Sequence, residues 1–172
     1  MSSARLLPLL LLVCFQSRAH CQNGPSEAPP PKSCPVTKPA NPPFVPLSPY
    51  PARPSPDQFW FGTDKLWTHL PVSGTWRLAN HPPGDATFGQ KLAFWRYGYN
   101  AYTEPRPNLT VRGKRFDRHA TPLLTDGKGN GSWESNDQFF IMTGINFPTA
   151  GCWEITGRYD DDELTFVIWI AP

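Results

Sequence analysis

The sequence lacks the short motifs by which many enzymes and metalloproteins can be recognised. It contains no G-x-S-x-G, H-E-x-x-H or C-x-x-C motif, and the glycines around residue 129 do not have the spacing of a phosphate-binding Walker loop. Such motifs position a nucleophile, a zinc ion, a redox pair or a phosphate. We therefore predict a non-enzymatic protein with no bound cofactor and no metal site.

The sequence also lacks an excess of charge once its N-terminus is set aside. Residues 1–19 combine Arg5, an apolar run, and small residues at Ser17 and Ala19, an arrangement typical of a signal peptide cleaved after Ala19. This segment holds Arg5 and Arg18 and no acid, so the formal charge of +2 becomes zero in the remaining chain. A neutral chain gives no electrostatic reason to expect nucleic acid or an anionic membrane as partner.

No apolar run long enough to span a bilayer, about 20 residues, follows the signal peptide. We expect the protein to be exported to the periplasm, the cell surface or the medium, where disulfides persist. Cys14 leaves with the signal peptide, and the odd number of remaining cysteines leaves one without a partner in the chain. A lipid anchor on Cys21 is the weaker alternative, because His20 stands where a lipoprotein signal requires a small residue.

Residues 20–56 contain 13 of the 22 prolines of the chain. Proline fixes φ and removes a backbone donor, so this segment is predicted to be an extended Pro-rich tether that joins no sheet interior. A plain spacer is favoured for residues 22–33. From Cys34 onward we favour a strap whose prolines cover aromatic side chains on an outer sheet face.

Residues 57–172 form the predicted domain, in which short β-branched and aromatic runs alternate with Gly, Pro, Asn and Asp. No amphipathic helix is evident, and the pattern predicts an all-β antiparallel sandwich, immunoglobulin-like in general plan, with a small barrel as the alternative. Long loops are expected at 79–89 and 120–137, where binding usually occurs. The predicted strands are 59–61, 66–70, 74–78, 90–96, 109–112, 138–145, 152–159 and 164–170.

The last two predicted strands form a hairpin around the acidic residues 160–163. Because side chains alternate along a strand, Trp153, Ile155 and Tyr159 are expected on the core face and Cys152 on the polar face. An outward thiol at the start of a strand favours a disulfide between Cys152 and Cys34. The predicted core comprises Trp67, Phe94, Phe139, Ile141, Trp153, Ile155, Phe166 and Ile168.

Several segments resemble a group of uncharacterised exported bacterial proteins: Cys34-Pro35-Val36-Thr37, LWTHL, FWRYG, VRGKRFD followed by ATPLL, FPTAGCWEITGR and DDELTFVIWI. That group carries CPVT near the N-terminus, a GRRLD-like segment and an FPTEGCWEVTGR-like segment. The resemblance covers most of residues 59–170 and implies an exported sandwich-like domain with Cys34 and Cys152 as the matching cysteines. It implies no activity, and the loop 125–137 departs from the shorter PDGYG-like turn of the group.

An aromatic cluster at the end of the fourth predicted strand is the main binding candidate. Exposed Trp and Tyr rings give stacking area at low entropic cost, which suits a glycan or a peptide. The residues concerned are Trp95, Tyr97, Tyr99 and Tyr102.

Two other groups of residues are candidate sites. Asp117 and His119 lie two residues apart and can share a strand face, so a small hydrolase with His119 as general base is the alternative function. The loop from Asp126 to Asp137 approaches the register of a calcium loop, but Lys128 stands where an oxygen ligand belongs. We therefore favour an exported, non-enzymatic binding or structural domain of the cell envelope or extracellular space, with an unknown protein or glycan as its partner.

The predicted cleavage can be tested on protein exported by a bacterial host. N-terminal sequencing of the exported form should begin at His20, because Ser17 and Ala19 occupy the positions that signal peptidase recognises. A chain that begins at an acylated Cys21 would instead establish the lipid anchor.

Overall fold

The structure, a computed structural model, describes residues 29–77, 88–125, 129–133 and 138–172. The predicted signal peptide, Cys21, Asp126, Asp137 and most of the loop 79–89 lie outside these ranges. The described residues form no helix that is long and apolar enough to cross a membrane.

The described part of the chain is built from short β-strands. Every predicted strand has a counterpart, with ends that differ by at most three residues, and two further strands lie in the segment 120–137 that was expected to be a loop. The strands are β1 (Gln58–Gly62), β2 (Trp67–Pro71), β3 (Thr75–Arg77), β4 (Phe88–Trp95), β5 (Leu109–Arg115), β6 (Leu124–Thr125), β7 (Asn130–Trp133), β8 (Phe139–Phe147), β9 (Gly151–Tyr159) and β10 (Asp162–Ala171).

The strands form two sheets that pack face to face, which confirms the all-β sandwich. Sheet A has the order β1-β2-β4-β8-β6, with β7 also paired to β8, and sheet B has the order β3-β10-β9-β5. The strand pairs are antiparallel except for one, in which β3 runs parallel to β10. The chain crosses from sheet A to sheet B through residues 72–74, so β3 joins the edge of β10 instead of pairing with β2.

The main core lies between the sheets and contains seven of the eight predicted core residues. The exception is Trp67, which is buried on the outer face of sheet A. There it joins Trp60, Trp95 and Phe140 in a second apolar group, which we call the outer aromatic cluster. Both faces of sheet A are therefore apolar, and alternation alone does not distinguish them.

Strands β9 and β10 form the predicted hairpin, paired along their whole length. Trp153, Ile155 and Tyr159 point into the core, as their alternation requires. Gly157 belongs to the same row, and a Cβ atom at this position would overlap the ring of Phe94. The glycine therefore makes room for a large aromatic ring from the opposite sheet.

Residues 34–51, which we call the strap, are fastened to sheet B at their beginning. Cys34 and Cys152 form the predicted disulfide, with Cα atoms 5.6 Å apart. The N–H of Thr37 donates to the carbonyl oxygen of Val167 (2.9 Å), and the N–H of Val167 donates to Oγ1 of Thr37 (2.8 Å). The strap thus continues the edge of sheet B beside β3. Cys152 is only 1% exposed because Cys34 packs against the polar face on which it lies.

The strap then passes over the outer aromatic cluster of sheet A. The ring of Tyr50 meets Trp67 and Trp60 edge-on, at centroid distances of 5.4 and 6.2 Å, and Phe44 meets Trp67 at 6.4 Å. Nε1–H of Trp60 donates to the carbonyl oxygen of Pro51 (2.9 Å). The chain from Cys34 onward thus covers aromatic side chains on an outer sheet face, and the ring contacts are made by its aromatic residues Phe44 and Tyr50.

Removing the disulfide should lower the free energy of unfolding substantially. Cys34 and Cys152 are separated by 118 positions. Closing so long a loop lowers the conformational entropy of the unfolded chain and so raises its free energy by about 4 kcal/mol. Urea denaturation of the Cys34→Ala/Cys152→Ala double variant, with the reduced parent protein as control, measures this loss. A change below about 1 kcal/mol would mean that the strap is already constrained without the bond.

Candidate binding groove

A groove opens at one end of the sandwich, where the strap passes the loop between β1 and β2, the end of β4 and the turn between β9 and β10. Its two parts have volumes of about 120 and 420 Å³ and share the lining residues Leu47, Asp64, Arg96 and Tyr97. Binding sites for small ligands are commonly about 300–1,000 Å³, so the groove can hold a short segment of a ligand.

A turn at the end of β4 positions the aromatic side chains of the groove. The N–H of Tyr99 donates to the carbonyl oxygen of Arg96 (3.3 Å), and Gly98 adopts φ +69°, a left-handed conformation that glycine tolerates. The turn leaves Tyr97 69% exposed on the groove and directs Tyr99 into the core, where it is 6% exposed.

The four predicted aromatic residues do not form one surface. Trp95 is buried in the outer aromatic cluster, 5.2 Å from Trp60. Tyr99 lines the narrow part of the groove, but its hydroxyl donates to the carbonyl oxygen of Glu104 (2.9 Å). Tyr102 is exposed against Phe139, outside both parts of the groove. Tyr97 is therefore the predicted residue that offers an exposed ring to the groove.

A partly buried polar cluster supports this end of the groove. Nη2 of Arg96 donates to Oε2 of Glu104 (2.8 Å), and the hydroxyl of Tyr159 donates to Oε1 of the same carboxylate. The guanidinium also lies over the ring of Tyr159, 4.4 Å from its centroid. Burial, together with the negative charge of Glu104, raises the pKa values of Tyr99 and Tyr159 to about 12, so both phenols stay protonated.

Two buried donors in the groove have no acceptor. Nε1 of Trp67 and Nε of Arg96 make no hydrogen bond to the part of the protein that the structure describes, and both residues line the narrow part of the groove. Leaving a buried donor unsatisfied costs about 1–3 kcal/mol. These two donors could not be identified from the sequence, because neither side chain belongs to a motif.

Acidic residues edge the wide part of the groove. Asp160 and Asp161 join β9 to β10, and Oδ1 of Asp160 accepts from Nδ2 of Asn108 (3.2 Å). Nζ of Lys65 lies 3.7 Å from Oδ1 of Asp162. Within the described ranges, no three His, Cys, Asp or Glu residues are grouped so as to hold a metal ion.

Asp117 and His119 lie elsewhere, beyond the end of β5. Both oxygens of Asp117 accept from the buried Arg115, at 2.7 and 2.6 Å, and these hydrogen bonds lower the pKa of the carboxyl group. Arg115 also donates to Oγ1 of Thr149 and to the carbonyl oxygen of Ala150. His119 is exposed and makes no hydrogen bond to Asp117 in the described structure. The carboxylate is thus used to hold a buried arginine, which does not favour the hydrolase alternative.

Comparison with known proteins gives no family for this chain. No protein-family model, curated protein or solved structure matches it.

His69 is a partly buried titratable group beside the strap. Its ring lies 5.4 Å from that of Trp95 and 6.3 Å from that of Trp60, beside Tyr50 and Gln58. Burial lowers the pKa of the imidazole below its ordinary value of 6.5, and attraction to Asp57 opposes this only in part. The folded protein therefore binds this proton less readily than the unfolded chain does.

This burial predicts a pH-dependent stability. The contribution of neutral His69 is fully present above the unfolded pKa of 6.5 and is lost as the pH falls below it. His69→Gln should therefore lose less stability than the parent protein between about pH 7 and pH 5, as measured by thermal unfolding. The exposed residue His119 provides the matched control variant, His119→Gln. Equal pH profiles for His69→Gln and the parent protein would contradict the burial of His69.

Proposed function

We propose that this protein is an exported, non-enzymatic binding domain whose ligand occupies the groove between the strap and the end of β4. The observation that carries the proposal is a pair of buried donors without an acceptor, Nε1–H of Trp67 and Nε–H of Arg96, on two residues that line one narrow space. Tyr97 adds an exposed aromatic ring beside them. A space with unsatisfied donors and an apolar platform has the character of a ligand site.

The construction of the groove favours binding. One wall is the strap, which is held by the disulfide at Cys34 and by ring contacts at Tyr50, so little order has to be gained when a ligand binds. A general acid or base works best with a pKa near the working pH, whereas Tyr99 and Tyr159 have pKa values of about 12. The charge of Arg96 is already engaged by Glu104.

Export is supported by the signal-like residues 1–19 and by the disulfide, which suits an oxidising compartment. The resemblance to exported bacterial proteins points the same way. Binding through loops at one end of a two-sheet sandwich is also how immunoglobulin-like domains work, and that general plan forms part of the proposal.

Truncation of Tyr97 tests the site. Tyr97→Ala should weaken binding to any ligand found on arrays of glycans and peptides by about tenfold, because aromatic stacking contributes about 1 kcal/mol or slightly more. Tyr102→Ala is the matched control, since this tyrosine is 68% exposed and lies outside the groove. If Tyr102→Ala weakens binding and Tyr97→Ala does not, the ligand binds elsewhere. If nothing on either array binds, the proposal of a binding domain fails.

A further inference from the structure

We infer that the groove binds a neutral saccharide chain, an inference that rests on the proposed binding function and names its ligand class. The starting point is the narrow part, which is lined by Trp67 and Arg96, two residues whose buried Nε1–H and Nε–H groups have no acceptor in the described structure. Both groups only donate, so the ligand must bring oxygen acceptors. With a volume of about 120 Å³, this part has room for several oxygen atoms at once.

The charges around the groove argue against an anionic ligand. Arg96 would attract an anion, but its Nη2 lies 2.8 Å from Oε2 of Glu104, so its charge is balanced within the protein. The other charged side chains that line the groove are three acids and one base: Asp64, Asp160, Asp162 and Lys65. Lys65 lies 3.7 Å from Asp162, so the acids predominate. A carboxylate or phosphate would meet this negative edge at close range and be repelled.

The same acids are suitable partners for hydroxyl groups. Each carboxylate accepts hydrogen bonds and cannot donate them when ionised, so the edge requires a ligand with donors while the narrow part requires one with acceptors. A sugar hydroxyl does both. A proline-rich peptide brings carbonyl acceptors, but its proline residues lack N–H donors for the carboxylates.

Apolar surface in the groove can pack against the C–H face of a sugar ring. Tyr97 is 69% exposed, and Leu47 of the strap is exposed on the same two parts of the groove. The C–H face of a pyranose can lie on such a surface while its hydroxyls reach the buried donors on one side and the carboxylates on the other. The arrangement of donors, acceptors and apolar surface thus points to a neutral saccharide.

The indole N–H of Trp67 allows a direct test by NMR. Its cross-peak in a ¹⁵N correlation spectrum can be assigned with Trp67→Phe and followed during titration with cellotetraose, maltotetraose, tetraacetylchitotetraose, tetragalacturonate and a pentaproline peptide. At least one neutral tetrasaccharide should shift this peak at concentrations where the last two probes do not. Tyr97→Ala should weaken that binding about tenfold, and Tyr102→Ala should leave it unchanged.

The outcomes separate this inference from the proposed function. A shift caused only by tetragalacturonate or by the peptide, and weakened by Tyr97→Ala, would overturn the neutral saccharide and keep a binding groove. No shift with any of these probes would contradict the neutral saccharide, whereas the binding function fails only if nothing on the glycan and peptide arrays binds. Asp64→Asn adds a test of the charge argument, because removing an acid from the edge should improve binding of tetragalacturonate relative to the neutral sugar. An unchanged ratio of the two affinities would contradict the role given to the acidic edge.

Since Tyr97, Tyr102 and Asp64 are exposed, these variants test the site even if Trp67→Phe proves unstable.

Discussion

The packing of the strap on the outer face of sheet A is the interaction on which the rest of the structure depends. Sheet A is apolar on both sides, and its outer side would expose Trp60, Trp67 and Trp95 if nothing covered it. Tyr50 and Phe44 cover it, with edge-on ring contacts that each contribute about 1 kcal/mol beyond simple burial. The disulfide between Cys34 and Cys152 fastens the beginning of the strap covalently to sheet B.

The same covering creates the groove. The strap passes one end of the sandwich, where the turn after β4 and the acidic turn between β9 and β10 also lie, and the space left between them is lined by side chains from all three. The cluster of Arg96, Glu104 and Tyr159 fixes the floor of this space by hydrogen bonds and by the stacked guanidinium. The groove is thus built from a rigid sheet end and a fastened segment, which suits recognition of a ligand without large rearrangement.

Alternation along the strands predicted the fold, the core face of β9 and the disulfide, because each depends on which side of a strand a residue faces. It could not place Trp67, since both faces of sheet A are apolar. It could not separate Tyr97 from Tyr99 either, because their opposite directions follow from the conformation of Gly98. The cluster around Arg96 joins residues up to 63 positions apart (96 to 159), and only the packed structure brings them together.

Hydrogen exchange at two strap contacts tests most directly whether the strap is a fixed part of the fold. Nε1–H of Trp60 donates to Pro51, and the N–H of Val167 donates to Oγ1 of Thr37, so both hydrogens report on strap contacts. With the disulfide intact, both should exchange far more slowly than exposed groups. After reduction both should exchange faster than the amides paired between β9 and β10, which lose only the protection that the lower global stability removes. Exchange at the rate of free groups in the intact protein would contradict a fixed strap and the groove that it forms.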